Sequence, residues 1–256
     1  MNDPRFPIVC LAVGEAYSNL YIARLHQMLQ RQMERPFQLV CYSDRERPVP
    51  KGVELRDCSQ WSQVQRPGMR PTTRKIRFFD PSEIPFDEFL YLDLTLVIAR
   101  PLEPLLEASL KRPEALVIVK DWFYPSYNSC VMRIRRGPLE PVYKGFVNGE
   151  VYPQRIKGDQ DFLHACVAAK GLENEVAFFA EGEVVSYKQA RLLNRTQPEE
   201  ARQLINSATI VKFHGKPKPH QVLDPFYNFF RKRLKSRADA NFWRSELRQH
   251  WEQTTQ

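Results

Sequence analysis

The sequence predicts an α/β protein with a mostly parallel central sheet flanked by helices. Short apolar runs typical of buried strands alternate with segments of helical periodicity, and the chain opens with a strand, a helix and a second strand. The length of 256 residues, with 43% hydrophobic and 27% charged residues, is that of an ordinary globular protein. These figures exclude a disordered or fibrous chain.

The predicted elements follow the order of the chain. Residues 8–13 form a continuous apolar run, as expected of a strand buried on both faces. Apolar residues between 17 and 33 recur at helical spacing, whereas prolines and glycines between 43 and 71 predict loops. Further strands are predicted over residues 37–42, 89–98, 116–119, 128–134 and 208–213, and a further helix over residues 158–169.

Asp93 stands within the most apolar stretch of the chain, residues 89–98. A buried carboxylate without a partner costs several kcal/mol, so Asp93 requires an ion pair, a metal or a place at a strand end beside a ligand. Ligands of open α/β sheets bind at the carboxyl ends of the strands. This favours a functional carboxylate, with a structural salt bridge as the alternative.

The cysteines exclude two classes of protein, and the net charge indicates which kinds of ligand the protein could bind. Cys10, Cys41, Cys58, Cys130 and Cys166 are odd in number and form no C-x-x-C pair, which excludes a disulfide framework and a zinc ribbon. We expect them to be buried small side chains. The net charge of +8 suits nucleic acid, an anionic membrane or a phosphorylated ligand without choosing among them.

Four segments carry a resemblance to a known family. They are YLDLT (91–95), YNSCVM (127–132), GDQDFL (158–163) and FHGKPKPH (213–220). Over residues 8–220 the chain resembles the nucleotide-sugar glycosyltransferases of the Rossmann-like GT-A fold, closest to the retaining enzymes of family eight and their bacterial relatives. The resemblance implies transfer of a sugar from a nucleotide-diphosphate donor, with UDP as the expected nucleotide. A degenerate relative that binds a nucleotide or glycan without turnover is the alternative.

The resemblance also implies a divalent metal, Mn²⁺ or Mg²⁺, on a D-x-D motif and a late histidine. Asp93 matches the first aspartate, but Thr95 and Lys212 stand where the second aspartate and the histidine are expected. A protonated lysine cannot ligate a cation but can neutralise a diphosphate, so we expect Lys212 to take over part of the metal's role. The alternative is a metal on Asp93 and His214, because residues two apart on a strand point the same way.

Further residues match donor-binding positions of the family. The resemblance implies that Val13, Gly14, Glu15 and Tyr17 bind the base of the donor nucleotide. For Tyr17, packing of the helix is the alternative. It also implies that Lys75 and Arg77 lie near the donor phosphates. The alternative is that these two residues form a surface charge cluster. Gly215 would let the backbone approach a phosphate, and Lys218 would pair with the diphosphate unless it belongs to a plain basic loop.

The sugar-binding and catalytic positions complete the expected site. The resemblance implies that Asp121, Asn128 and Ser129 face the donor sugar. It places Asp159 and Gln160 beneath the transferred sugar, where they would act with Asp93 as the catalytic residues. The alternative for Asp159 is the N-cap of the following helix, a role that aspartate performs well.

Residues 224–256 are predicted to form a basic, aromatic helical arm that follows a catalytic domain at residues 1–223. Seven basic residues accompany four acidic ones, and Trp243, Leu247 and Trp251 recur every four residues as one stripe. The stripe suits peripheral contact with an anionic membrane, and packing on the catalytic domain is the alternative.

The expected location and partners follow from the same observations. No apolar run approaches the ~20 residues that span a bilayer, and the first apolar stretch is too interrupted for a signal peptide, so we expect a cytoplasmic protein. A glycan, a lipid-linked molecule or a protein is the expected acceptor. Nucleic acid is not an expected partner, because no binding motif is recognisable in the sequence.

Overall fold

The computed structural model describes residues 5–227 and 241–253, and these form two compact units. The first unit comprises residues 5–22, 35–94 and 106–179. The second comprises residues 23–34, 95–105, 180–227 and 241–253, so the described part of the predicted arm shares a unit with residues 180–223. Most basic residues of the arm fall within residues 228–240, which lie outside the described residues.

A seven-stranded sheet forms the centre of the first unit. The strands of the protein are β1 (Phe6–Ala12), β2 (Phe37–Ser43), β3 (Val53–Asp57), β4 (Glu88–Leu92), β5 (Leu96–Ile98), β6 (Leu116–Lys120), β7 (Tyr127–Arg135), β8 (Val176–Phe178), β9 (Val184–Ser186) and β10 (Ile210–Lys212). The large sheet has the order β3-β2-β1-β4-β7-β6-β8, and only β7 is antiparallel to its neighbours. The predicted α/β class with a mostly parallel sheet is confirmed.

Helices flank the sheets in both units. The α-helices are α1 (Asn19–Gln32), α2 (Glu103–Leu110), α3 (Glu140–Val147), α4 (Asp159–Lys170), α5 (Tyr187–Leu193), α6 (Pro198–Ser207), α7 (Pro219–Leu223) and α8 (Arg244–Glu252). Three 3-10 helices cover Trp61–Val64, Pro71–Phe79 and Glu173–Glu175. None of the helices among the described residues is long and apolar enough to cross a bilayer.

The predicted strand over residues 89–98 is wrong in one respect, since it divides into two strands that belong to different sheets. β4 ends at Leu92 in the large sheet, whereas β5 pairs with β10 in a three-stranded sheet of the order β5-β10-β9. The interruption falls at Asp93, whose carboxylate cannot be buried unpaired within a continuous strand. A break at this residue resolves the conflict between the apolar run and the charge.

Other elements were not predicted because their sequence signals are short. The expected loop at residues 43–71 contains β3, a five-residue strand at the sheet edge whose side chains are mostly half-buried. The helices α2, α3, α5 and α6 and the three-residue strands β8 and β9 were also missed. A strand of three residues is too short to display a periodicity.

An aromatic core anchors the 3-10 helix Pro71–Phe79 on the large sheet. The ring centroid of Phe78 lies 5.7 Å from Tyr42, 5.6 Å from Trp61 and 5.1 Å from Tyr91, and all four side chains are buried. Because a 3-10 helix has three residues per turn, Lys75 lies one turn before Phe78 on the same face. The packing of Phe78 therefore holds Lys75 beside β4.

The cysteines and the aromatic stripe occupy buried positions. All five cysteines are free and buried, as predicted. Trp243, Leu247 and Trp251 are buried in the second unit, where the Trp243 indole donates to Asn206 Oδ1 at 3.0 Å and the Trp251 ring lies 5.7 Å from the Arg24 guanidinium. These three side chains therefore pack within the second unit, and contact of the arm with a membrane stays a prediction.

We expect the protein to lose stability on mild acidification. Burial lowers the pKa of His26, His220 and His250, all in the second unit, below their ordinary value of 6.5. The unfolded chain then binds more protons as the pH falls, so the stabilisation is present above the unfolded pKa and is lost below it. Thermal unfolding between about pH 7.5 and about pH 5.5 should show a falling midpoint. His26→Gln should reduce this fall. If the midpoint of the variant depended on pH as that of the wild type does, the attribution of the fall to His26 would be wrong.

Candidate active site

The ammonium of Lys75 lies between two carboxylates in the first unit. Its Nζ is 2.8 Å from Asp93 Oδ1 and 3.7 Å from Asp159 Oδ2, and it donates to the carbonyl and hydroxyl oxygens of Ser129 at 3.1 and 3.2 Å. Burial by itself would lower the pKa of Lys75, but the negative charges of Asp159 and Asp93 outweigh it and raise the pKa. The lysine is therefore charged and tightly held.

Asp93 directly follows β4, the central strand of the seven, as the sequence predicts. Its Oδ1 accepts a hydrogen bond of 2.7 Å from the Tyr91 hydroxyl, and its backbone N–H donates to the Cys130 carbonyl. Burial and then the charge of Asp93 raise the pKa of Tyr91, so this hydroxyl stays a donor. The Asp93 side chain is 20% exposed, so it is both ion-paired and open to a ligand.

Asp159 is the first residue of α4, and its carboxylate does not cap the helix. Gly158 occupies the N-cap position, while Asp159 accepts a hydrogen bond from the Ser129 hydroxyl and faces Lys75. The N-cap alternative for Asp159 is therefore wrong. Gln160 follows in the first turn of α4 and is half-buried.

Ser129, whose carbonyl accepts from Lys75, lies in a bulge of β7. The consecutive β6 residues Ile118 and Val119 pair with Met132 and Asn128 of β7, so residues 129–131 have no partner on β6, although Val131 still pairs with Leu92 of β4. Bulges redirect backbone and side-chain groups and occur often beside active sites. The neighbouring Asn128 donates to Asp121 Oδ2 at 2.8 Å, which orients both of these predicted sugar-binding side chains.

The loop after β1 is braced by residues that sequence reasoning missed. Asp44 Oδ2 accepts from the Gly14 backbone N–H at 2.9 Å and from Arg74 at 3.1 Å, and Arg47 donates to the Gly14 carbonyl at 2.6 Å. Asp44 follows β2 directly, just as Asp93 follows β4. This shared placement at a strand end is the signal that could have identified Asp44.

The predicted base-binding residues lie on this loop with different degrees of exposure. Val13 and Gly14 are half-buried, and Gly14 has a φ of 67°, a conformation that favours glycine. The Glu15 side chain is exposed and lies 3.5 Å from Arg45. The Tyr17 ring contacts the Tyr21 ring at a centroid distance of 5.2 Å, as the helix-packing alternative requires.

Arg77 lies in a separate cluster from Lys75. It pairs with Glu83 at 2.8 Å and Asp80 at 3.2 Å, and it lies over the Tyr143 ring. Residues two apart in a 3-10 helix point about 120° away from each other, because the helix has 3 residues per turn. The structure thus brings Lys75 but not Arg77 to Asp93 and Asp159.

In the second unit, the two residues that depart from the family pattern contact each other. The buried Lys212 donates from Nζ to Thr95 Oγ1 at 2.7 Å. His214 Nε2 lies 3.3 Å from the Ser186 hydroxyl. Gly215 has a φ of 67°, and Lys218 precedes α7, where its N–H donates to Gln221 Oε1. The paired substitutions at positions 95 and 212 therefore form one local interaction.

These residues do not fit a divalent cation. Within residues 5–227 and 241–253, no three His, Cys, Asp or Glu side chains converge as metal ligands would. Asp93 Oδ1 already receives the Lys75 ammonium, and the Thr95 hydroxyl receives Lys212. Mn²⁺ and Mg²⁺ require several oxygen ligands, and an ammonium at this distance repels them.

Comparison with known proteins identifies the fold class. No family model matches the sequence, and no curated protein matches it by sequence. The galactosyltransferase LgtC, solved with donor and acceptor sugar analogues, superimposes with a TM-score of 0.59 at 14% identity, over 94% of this chain and 100% of that chain.

Two further glycosyltransferase structures agree. The bifunctional glycosyltransferase WbbM has a TM-score of 0.59 at 13% identity, over 98% of this chain and 52% of its own. Mouse xyloside xylosyltransferase 1 has a TM-score of 0.53 at 13% identity, over 84% of this chain and 98% of its own. The protein has the GT-A fold of the nucleotide-sugar glycosyltransferases.

Proposed function

We propose that the protein is a glycosyltransferase, related to the retaining enzymes of family eight, that uses a UDP-linked sugar donor. The observation that carries the proposal is the meeting of three separate motif segments: Asp93, Ser129 and Asp159 each lie within 3.7 Å of the Lys75 ammonium. The acceptor is a glycan, a lipid-linked molecule or a protein. A non-catalytic relative is not favoured, because the fold neighbours are glycosyltransferases.

The proposed chemistry divides between holding the sugar and stabilising the departing diphosphate. Asp159, Asp121 and Asn128 bind sugar hydroxyls, and Gln160 lies near the anomeric carbon. Asp121 and Asn128 already share a hydrogen bond, so they lose little conformational freedom when they bind a ligand. Positive charge near the leaving oxygen lowers the barrier to its departure.

The nucleotide is proposed to bind the loop that follows β1. Val13, Gly14, Glu15 and Tyr17 contact the base, where the Glu15 carboxylate accepts from a uracil N–H and the Tyr17 ring stacks on the base. Asp44 and Arg47 fix the backbone of this loop on both sides of Gly14. A loop held in this way presents its donors and acceptors at low entropic cost.

A panel of donors tests the proposal. The protein is incubated with UDP-glucose, UDP-galactose, UDP-N-acetylglucosamine and UDP-xylose, each with and without simple sugar acceptors, and released UDP is measured. Proton NMR of the product's anomeric signal then reports retention or inversion. Release of UDP from at least one donor supports the proposal, and the absence of both release and binding for the whole panel contradicts it.

Lys212→Ala should weaken the binding of UDP by about 1.5–3 kcal/mol, the range for hydrogen bonds to charged groups. The lysine is buried and carries a positive charge that suits a diphosphate. Isothermal titration with UDP measures the effect. Thr95→Val is the matched control, because it removes the hydrogen-bond partner of Lys212 but keeps the ammonium. Equal affinity of Lys212→Ala and the wild type would refute the role.

A further inference from the structure

We infer that Lys75 is a built-in counter-cation for Asp93 and Asp159, and that this pair of carboxylates binds no divalent metal in the wild-type protein. The family pattern led to the expectation that Lys212 takes over part of the role of a lost metal, and Lys75 adds a second lysine to that expectation. Only the comparison with the family's metal motif rests on the proposed function. The metal-binding property itself does not, because it concerns the protein without any sugar donor.

The ammonium of Lys75 lies close to both carboxylates. The Lys75 Nζ is 2.8 Å from Asp93 Oδ1 and 3.7 Å from Asp159 Oδ2, so one ammonium serves both carboxylates. The three side chains are 6%, 20% and 7% exposed, in the order Lys75, Asp93, Asp159. Two carboxylates that lie close together with so little exposure to solvent repel each other strongly unless a cation lies between them. Lys75 supplies that cation.

Several further contacts hold the Lys75 ammonium in this position. Its remaining hydrogen bonds go to the Ser129 carbonyl and hydroxyl, and its ammonium lies 5.1 Å from the centroid of the Tyr91 ring. The helix that carries it is anchored one turn later by Phe78 in the aromatic core. Withdrawal of Lys75 would break these contacts and leave the buried Asp159 carboxylate and the partly exposed Asp93 carboxylate without this counter-charge.

The second position of the D-x-D metal motif is also engaged by a lysine. Thr95 stands two residues after Asp93, where the family pattern has a second aspartate, and its hydroxyl accepts from Lys212 within the second unit. Each of the two motif positions is thus engaged by a lysine in its own unit. An ammonium is a compact point charge that binds oxygen atoms without the ligand number a dication demands.

The binding of Mn²⁺ without nucleotide tests the inference. Electron paramagnetic resonance of free Mn²⁺ and isothermal titration should detect no site in the wild type that depends on Asp93. Lys75→Ala should gain such a site, with affinity raised by about tenfold or more, because both carboxylates then lack a cation. Its thermal midpoint should fall, and Mn²⁺ should restore part of the loss. Lys75→Arg should gain no site, since it keeps the charge.

Two further variants separate the outcomes. Lys144→Ala removes an exposed lysine paired with Glu140, and it should leave Mn²⁺ binding unchanged. Adding Asp93→Asn to Lys75→Ala should abolish the gained site. A wild-type site for Mn²⁺ that Asp93→Asn removes would overturn the inference, even where Lys75→Ala fails to fold. Since no sugar donor is used, an inactive protein can still pass this test, and an active one can fail it.

Discussion

Asp159→Asn is expected to reduce the turnover of the sugar donor by about 10²–10³-fold, the loss typical of removing one group that stabilises a transition state. The carboxylate lies at the start of α4, accepts from Ser129 and faces Lys75. Asparagine keeps the volume and one acceptor oxygen but removes the negative charge. Released UDP, measured over a range of donor concentrations, separates an effect on kcat from one on KM.

The fold should survive this substitution for an electrostatic reason. In the wild type, two carboxylates share one ammonium, which leaves the cluster with one excess negative charge. The variant leaves Lys75 paired with Asp93 at 2.8 Å and brings the cluster to neutrality. Its thermal midpoint should therefore stay close to that of the wild type, so lost turnover reports on function and not on unfolding.

Asp161→Asn is the matched control on the same helix. Its carboxylate accepts from the Lys157 backbone N–H at 2.9 Å and does not belong to the Lys75 cluster. It should retain most of the turnover. If Asp159→Asn keeps full activity with the donor that the wild type uses, the assignment of this site is wrong.

The sequence singled out the charged residues of the Lys75 cluster as candidates, but their mutual arrangement could not be predicted. Asp93 at the end of a buried strand follows from the cost of burying a carboxylate, and the resemblance pointed to Lys75, Ser129 and Asp159. No local pattern indicates that one ammonium lies between two carboxylates. That arrangement depends on the packing of Phe78 and on the bulge in β7, which are properties of the tertiary structure.

The errors at Arg77, Asp44 and Arg47 have a common physical cause. Arg77 is two residues from Lys75, and its direction depends on a 3-10 helix, Pro71–Phe79, for which no element was predicted. Asp44 and Arg47 lie in the predicted loop at residues 43–71, and nothing in that prediction indicated that they hold Gly14. Long-range pairing decides these contacts, and a single sequence carries little information about it.

Arg133→Met is expected to destabilise the first unit by about 3–5 kcal/mol, the range for removing one partner of a buried charged network. Arg133 lies in β7 and is fully buried. Its guanidinium donates to the Ser109 carbonyl at 2.7 Å, to the Arg112 carbonyl at 2.9 Å and to the Glu114 carbonyl at 2.7 Å. Methionine fills the space but removes these donors and the ion pair with Glu88 at 3.3 Å, and a buried acceptor that remains unpaired costs about 1–3 kcal/mol.

The loss should appear as a fall of roughly 6–20 °C in the thermal midpoint, given the usual conversion for a protein of this size. Arg135→Met provides the comparison, because Arg135 lies two residues further along β7 with a side chain that is 40% exposed. Its bond to the Pro113 carbonyl is open to solvent, so water can replace it, and the midpoint should change by no more than a few degrees. Equal losses in the two variants would mean that the polar contacts of Arg133 contribute no more than ordinary surface bonds. A large difference would show that the end of α2 and the chain that leads into β6 depend on this one buried guanidinium.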